Sequence, residues 1–130
     1  MKIKEFCTGI QHVGLPTNDI AKTITFYESI GFTLAYCTNN ENEKVAFLQL
    51  NNLMIETYQN FQATMKSGAI DHIAIDVKCI DELFQVIKAT GYALLNTKVQ
   101  TLPFWEHGVK FFTIMGPNEE KIEFCERLEP

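Results

Sequence analysis

Residues 10–34 read IQHVGLPTNDIAKTITFYESIGFTL, and residues 70–94 read IDHIAIDVKCIDELFQVIKATGYAL. Moved by sixty positions without a gap, the first stretch falls on the second. Ile10, His12, Ile20, Gly31 and Leu34 recur as Ile70, His72, Ile80, Gly91 and Leu94. The match resumes further on, where NNLMIETY (51–58) parallels NEEKIEFC (118–125) at a shift of sixty-seven. A chain with this self-similarity builds its fold from two copies of one supersecondary unit. Each copy supplies a His near its start and a Glu near its end. A duplicated pair of ligand-type residues points to one metal site built by both halves.

Each half opens with an alternating stretch, 10–15 and 70–77, that predicts a strand. A helix follows. Asp19 is a candidate N-cap, Ile20, Ile24, Tyr27 and Ile30 recur at helical spacing, and Gly31 supplies the stop. In the second copy Ile80, Leu83, Phe84 and Ile87 form the stripe and Gly91 the stop. These stripes are core positions. Three strands are then expected in each half, at about 32–37, 44–50 and 53–58, and at about 92–97, 109–115 and 120–126. Asn51-Asn52 and Pro117-Asn118 mark the tight turns. The pattern is strand–helix–strand–strand–strand, twice, an α+β class with helices on one face of each sheet.

Strand parity divides the residues between two faces. With Val13, Leu15, Ile55, Ile73, Ile75, Ile122 and Phe124 under the helices, His12, Glu56, His72 and Glu123 face the other way. Gly14 and Ala74 lie on that same face and leave room. A carboxylate in the middle of an apolar strand is costly to bury unless it is paired or bound to a metal. One His in a core is more often a hydrogen-bonded structural residue than a ligand; two at repeat-equivalent places, each with a Glu on its face, favour the metal reading.

Composition narrows the partners. With 46% hydrophobic and 21% charged residues, an ordinary globular domain is expected. A net charge of −5 and scattered lysines argue against nucleic acid, which needs clustered positive charge. No apolar run approaches the ~20 residues of a membrane span. The N-terminal MKIKEFCTGI lacks the apolar core of a signal peptide, so a cytoplasmic protein is expected. Cys7, Cys37, Cys79 and Cys125 form no CxxC pair and are expected as free thiols, with Cys125 a small apolar filler.

The motifs IQHVGL, FYESIGF, MIETY, DHIAIDV and GPNEEKIEF, spread over residues 10–125, resemble the vicinal oxygen chelate superfamily, and within it glyoxalase I. The resemblance implies a single domain over residues 1–130, made of two tandem βαβββ modules at about 8–60 and 68–127. These form a concave mixed sheet around a metal site. It places the metal ligands on His12, Glu56, His72 and Glu123. Two imidazoles and two carboxylates suit one borderline divalent ion, nickel or zinc foremost, with cobalt or manganese compatible. The implied activity is a lyase or isomerase reaction on a 2-oxoaldehyde–thiol adduct, by proton transfer through an enediolate. Glu123 is expected as the principal base and Glu56 as the second acid/base. An epimerase of the methylmalonyl-CoA type and a non-catalytic small-ligand binder are the alternatives. The turn Gly116-Pro117-Asn118-Glu119 departs from the Asp-Pro-Asp-Gly type of glyoxalase I. The chain holds a single arginine, Arg127, which leaves no evident clamp for the two carboxylates of glutathione. Lys121 can meet an anionic group of the substrate. Phe104 and Trp105 either form a lip over the cavity or bury themselves against a subunit partner; His107 is a loop residue. A homodimer is implied, in which His12 and Glu56 of one subunit join His72 and Glu123 of the other.

Overall fold

The structure, a computed structural model, describes residues 2–130. The chain divides into two units, Met1–Ala63 and Thr64–Pro130, as the repeat requires. In the first unit a short helix, α1 (Ile3–Phe6), precedes β1 (Val13–Thr17), α2 (Ile20–Ser29), β2 (Thr33–Asn40), β3 (Glu43–Leu50) and β4 (Leu53–Gln59). In the second, β5 (His72–Asp76) is followed by α3 (Ile80–Thr90), β6 (Ala93–Leu94), β7 (Gln100–Leu102), β8 (Val109–Met115) and β9 (Lys121–Arg127). The sheet orders correspond: β1-β4-β3-β2, and β5-β9-β8-β6 with β7 also on β8. The first strand of each unit runs parallel to the last, and the other pairings are antiparallel. The fold is the expected α+β pair of βαβββ modules.

The helices begin and end where the sequence directs. The Asp19 carboxylate accepts the Lys22 amide at 3.1 Å, closing the first turn of α2. Gly91 ends α3 in a left-handed conformation, φ +84°, which glycine adopts without steric cost. Both helix starts are also tied to the last strand. The Ile20 amide donates to Gln59 Oε1 at 2.9 Å, and the Ile80 amide donates to Glu126 Oε1 at the same distance.

The core lies on the predicted side of each strand. Ile20, Tyr27, Phe32, Ala46, Leu48 and Ile55 are buried in the first unit. Ile80, Phe84, Ile87, Phe112, Ile114, Ile122 and Phe124 are buried in the second. Phe84 and Phe112 meet edge to face at 5.1 Å between centroids. Each such side chain contributes about 1.5–3 kcal/mol of burial. The α2 face also hides a polar pair, Thr17 Oγ1 and Thr23 Oγ1 at 2.8 Å, which satisfies both hydroxyls.

Two boundaries differ from the expected ones. The opening strands are shorter, because their pairing starts only at Val13 with Ile55 and at His72 with Lys121. Ile10 and Ile70 consequently lie outside any strand and are exposed. The stretch expected as one strand over 92–97 is instead interrupted. Leu95 donates its amide to the Thr113 carbonyl at 2.9 Å, and the Asn96 side chain then accepts the Thr113 amide at 2.8 Å. A side chain thus takes the ladder bond that a backbone carbonyl would fill, and regular pairing resumes only at Gln100 with Phe111.

Candidate metal centre

Glu56 sits mid-strand in β4, between Ile55 and Thr57, which are both buried on the core side. Alternation therefore turns its carboxylate to the open face. In register beside it are Gly14 on β1 and Phe47 on β3. His12 immediately precedes β1, and its Nε2 stands 3.6 Å from Glu56 Oε1. The imidazole Nδ1 is paired with Gln11 Oε1 at 3.0 Å, and the ring meets Phe47 edge to face at 5.9 Å. A Cβ at Gly14 would lie 3.7 Å from the Tyr58 ring, an ordinary van der Waals contact, so a small side chain such as the alanine of the second unit also fits there.

The second unit repeats the arrangement. Glu123 lies mid-strand in β9 between buried Ile122 and Phe124, beside Ala74 on β5 and Thr113 on β8. His72 Nε2 is again 3.6 Å from a glutamate oxygen, Glu123 Oε1. Its Nδ1 pairs with Asp71 Oδ2 at 2.9 Å, and Asp71 Oδ1 accepts from Lys121 Nζ at 3.1 Å. These two hydrogen bonds, the one from His72 foremost, hold the Asp71 carboxyl below the usual carboxylate range.

Each unit therefore aims one imidazole nitrogen and one carboxylate oxygen into the same space. A separation of 3.6 Å is too long for a hydrogen bond. It falls within the reach of two donors sharing one ion at about 2.1 Å each. The donor set, neutral imidazole with carboxylate, is one that divalent zinc or nickel accepts. The structure places His12 with Glu56, and His72 with Glu123. Among the described residues no group of three or more His, Cys, Asp or Glu gathers as a metal cluster; each unit brings together one His and one Glu.

Other residues singled out in the sequence lie in the second unit. Lys121, the register partner of His72, is engaged by Asp71. Phe104 and Trp105 are both exposed, in the loop between β7 and β8. The Arg127 guanidinium lies 4.0 Å above the Trp105 ring. Both border an open groove of about 1180 Å³ in the second unit, with His107 and Lys78. Arg127 is four residues beyond Glu123 on one strand, roughly 13 Å away. The Cys125 thiol is pushed up by burial and then by the Glu123 and Asp76 charges, consistent with an inert filler. All four cysteines are free.

Three residues escaped the sequence reading: Gln11, Asp71 and Phe47. The first two carried a signal, since a side-chain acceptor precedes the His in both copies. Phe47 carried none, because an aromatic residue in a strand reads as core.

Residues 9–124 match the family model described as the Glyoxalase/Bleomycin resistance protein/Dioxygenase superfamily. The chain belongs to this superfamily. An uncharacterized Bacillus subtilis protein, YwbC, is 30% identical over 125 residues, covering 91% of this chain and 97% of the relative. A bleomycin resistance protein of Geobacillus stearothermophilus is 29% identical over 131 residues, with 88% and 94% covered. Among solved structures, a glyoxalase family protein from Enterococcus faecalis superposes with a TM-score of 0.76 at 21% identity, covering 93% of this chain and 99% of that one. The fosfomycin resistance protein FosX from Listeria monocytogenes gives 0.73 at 19% identity, covering 94% and 95%. Superfamily members commonly bind a divalent metal, and they include both enzymes and non-catalytic binders. No helix among the described residues is long and apolar enough to cross a membrane.

Proposed function

We propose that this superfamily member is a divalent-metal-dependent lyase of the glyoxalase I type, acting on a 2-oxoaldehyde–thiol adduct. The observation that carries the reading is the twice-built His–Glu pair, with the same 3.6 Å separation in each unit. His12, Glu56, His72 and Glu123 would hold the ion, nickel or zinc foremost. When bound, the metal polarises the substrate carbonyl and stabilises negative charge that develops on its oxygen. Glu123 removes the proton from the carbon bearing the thioether and hands it to the adjacent former carbonyl carbon, so the proton is transferred and not lost. Glu56 exchanges the hydroxyl proton. The glutamate side chains are only 29% and 18% exposed, for Glu56 and Glu123, which restricts competing water.

Because the ligands come in two half sets, a complete site takes one first unit and one second unit. We place these on different chains of a homodimer with two sites, an isologous arrangement. The relative at 29% identity that confers bleomycin resistance supports a second reading, ligand binding without turnover. One experiment separates them. Chelator-stripped protein is reloaded with nickel or zinc and assayed on a panel of thiol–methylglyoxal adducts and methylmalonyl-CoA. Metal-dependent turnover of an adduct is the expected result. Metal-independent ligand binding with no turnover would establish the second reading instead. For the shared site, mixing inactive His12→Ala with inactive Glu123→Gln protein should restore about half of the heterodimer's activity, because one of its two sites is intact. No recovery despite subunit exchange places each site within one chain.

A further inference from the structure

We propose that Asp71, pinned by Lys121, is a positioning residue that fixes His72 in a single tautomer, with the Nε2 lone pair turned toward Glu123. The inference rests on the metal-ligand reading above only for its consequence, not for its geometry. Asp71 spends its two oxygens on different partners: Oδ2 on His72 Nδ1 at 2.9 Å and Oδ1 on Lys121 Nζ at 3.1 Å. Rotation of the carboxylate breaks one bond or the other. Lys121 is the cross-strand neighbour of His72, so the three residues tie the first residue of β5 to the first residue of β9.

An ionised carboxylate only accepts. Opposite it, the Nδ1 of a neutral imidazole must carry the hydrogen, and the other nitrogen keeps its lone pair. That is the form a metal ligand requires, and a carboxylate partner also strengthens the ring as a donor. The first unit lacks this device. At the equivalent position Gln11 Oε1 lies 3.0 Å from His12 Nδ1, and an amide presents either its oxygen or, after a flip, its NH2 group. Gln11 therefore orients the ring without choosing its tautomer. It follows that His72 holds the ion more firmly than His12.

The test reads the rings directly. In metal-free, 15N-labelled parent protein at alkaline pH, two-bond 1H–15N correlations should show His72 as the Nδ1–H form and His12 as a mixture. In Asp71→Asn, folded by circular dichroism, His72 should become a mixture, and Lys121→Met should move it partway. Gln11→Asp should convert His12 to the single Nδ1–H form. Chelator competition with nickel should then show affinity about 10–100-fold lower for Asp71→Asn and higher for Gln11→Asp. A folded Asp71→Asn protein whose His72 keeps the single Nδ1–H form overturns the proposal. Unchanged nickel affinity alongside a changed tautomer overturns the consequence for metal binding. If the parent binds no nickel at all, the metal reading fails, while the tautomer result still decides the role of Asp71.

Discussion

The two units share a backbone plan, and they differ in what stands next to each candidate ligand. Both place His Nε2 3.6 Å from a mid-strand glutamate. In the first unit the surroundings are neutral and aromatic: Gln11 behind the imidazole, Phe47 beside the glutamate. In the second they are charged and polar: Asp71 with Lys121 behind the imidazole, Thr113 beside the glutamate. The repeat keeps the His–Glu spacing, with each His at or just before the start of the strand that pairs beside its Glu. Residues one step removed are free to diverge, and they tune hydrogen bonding and local charge without moving the donors. Equal geometry with unequal surroundings makes unequal roles the expected outcome.

The largest effect that would sharpen this contrast is catalytic. Glu123→Gln should lower exchange of the substrate's carbon-bound proton in deuterated water by about 10²–10⁴-fold, the usual worth of a positioned base. The amide fills the same space, so folding should be unaffected. Glu56→Gln should lose less, because Glu56 is assigned the hydroxyl proton. Equal losses in the two variants would remove the division of labour between the units. Normal exchange by folded, metal-loaded Glu123→Gln would take that residue out of the base role.

The next effect probes the shared scaffold. Ile55 and Ile122 occupy equivalent mid-strand positions, each next to the candidate glutamate of its unit, and are 1% and 0% exposed. Truncation to Ala at either should cost about 2–5 kcal/mol, through lost burial plus the cavity left behind. Urea unfolding of the two variants measures both. A loss well under about 1 kcal/mol at one site would mean that its unit repacks, and that the two cores are less alike than their registers.

Much of this was legible in the sequence. The βαβββ plan followed from the repeat and from periodicity. The pairing of each His with its Glu followed from strand parity, since Ile55 and Ile122 fixed which side faced the core. The rest was hidden for physical reasons. Asn96 breaks the expected 92–97 strand through a side-chain-to-backbone bond, and no hydrophobic pattern records such a bond. Gln11 and Asp71 are exposed polar residues outside the strands, and their role depends on a contact made by the neighbouring ring. The four-residue helix α1 is too short to show a period. The placement of Trp105 depends on a loop with a positive φ and on a stacked Arg127, neither of which is a local pattern.

The smallest effect lies at the helix starts, where one substitution should act with opposite sign in the two units. Asp19 and Cys79 are repeat-equivalent N-cap residues. Asp19 is extended, φ −152°, and its carboxylate accepts the Lys22 amide at 3.1 Å. Asp19→Ala should cost about 1 kcal/mol, and Asp19→Gly only a few tenths. Cys79 makes no side-chain cap bond and sits in the left-handed region at φ +54°. An L side chain there costs roughly 1–2 kcal/mol relative to right-handed backbone. Glycine removes that strain but returns about 0.4–1 kcal/mol through the greater freedom of its unfolded chain. The net gain for Cys79→Gly is therefore about 0–1.6 kcal/mol, centred near 0.8, or up to a few degrees in Tm. The exposed thiol takes no packing with it. Thermal melts of the parent and the two glycine variants should move in opposite directions. A Cys79→Gly protein that melts below the parent would show that the left-handed cap is supported by its surroundings and not strained.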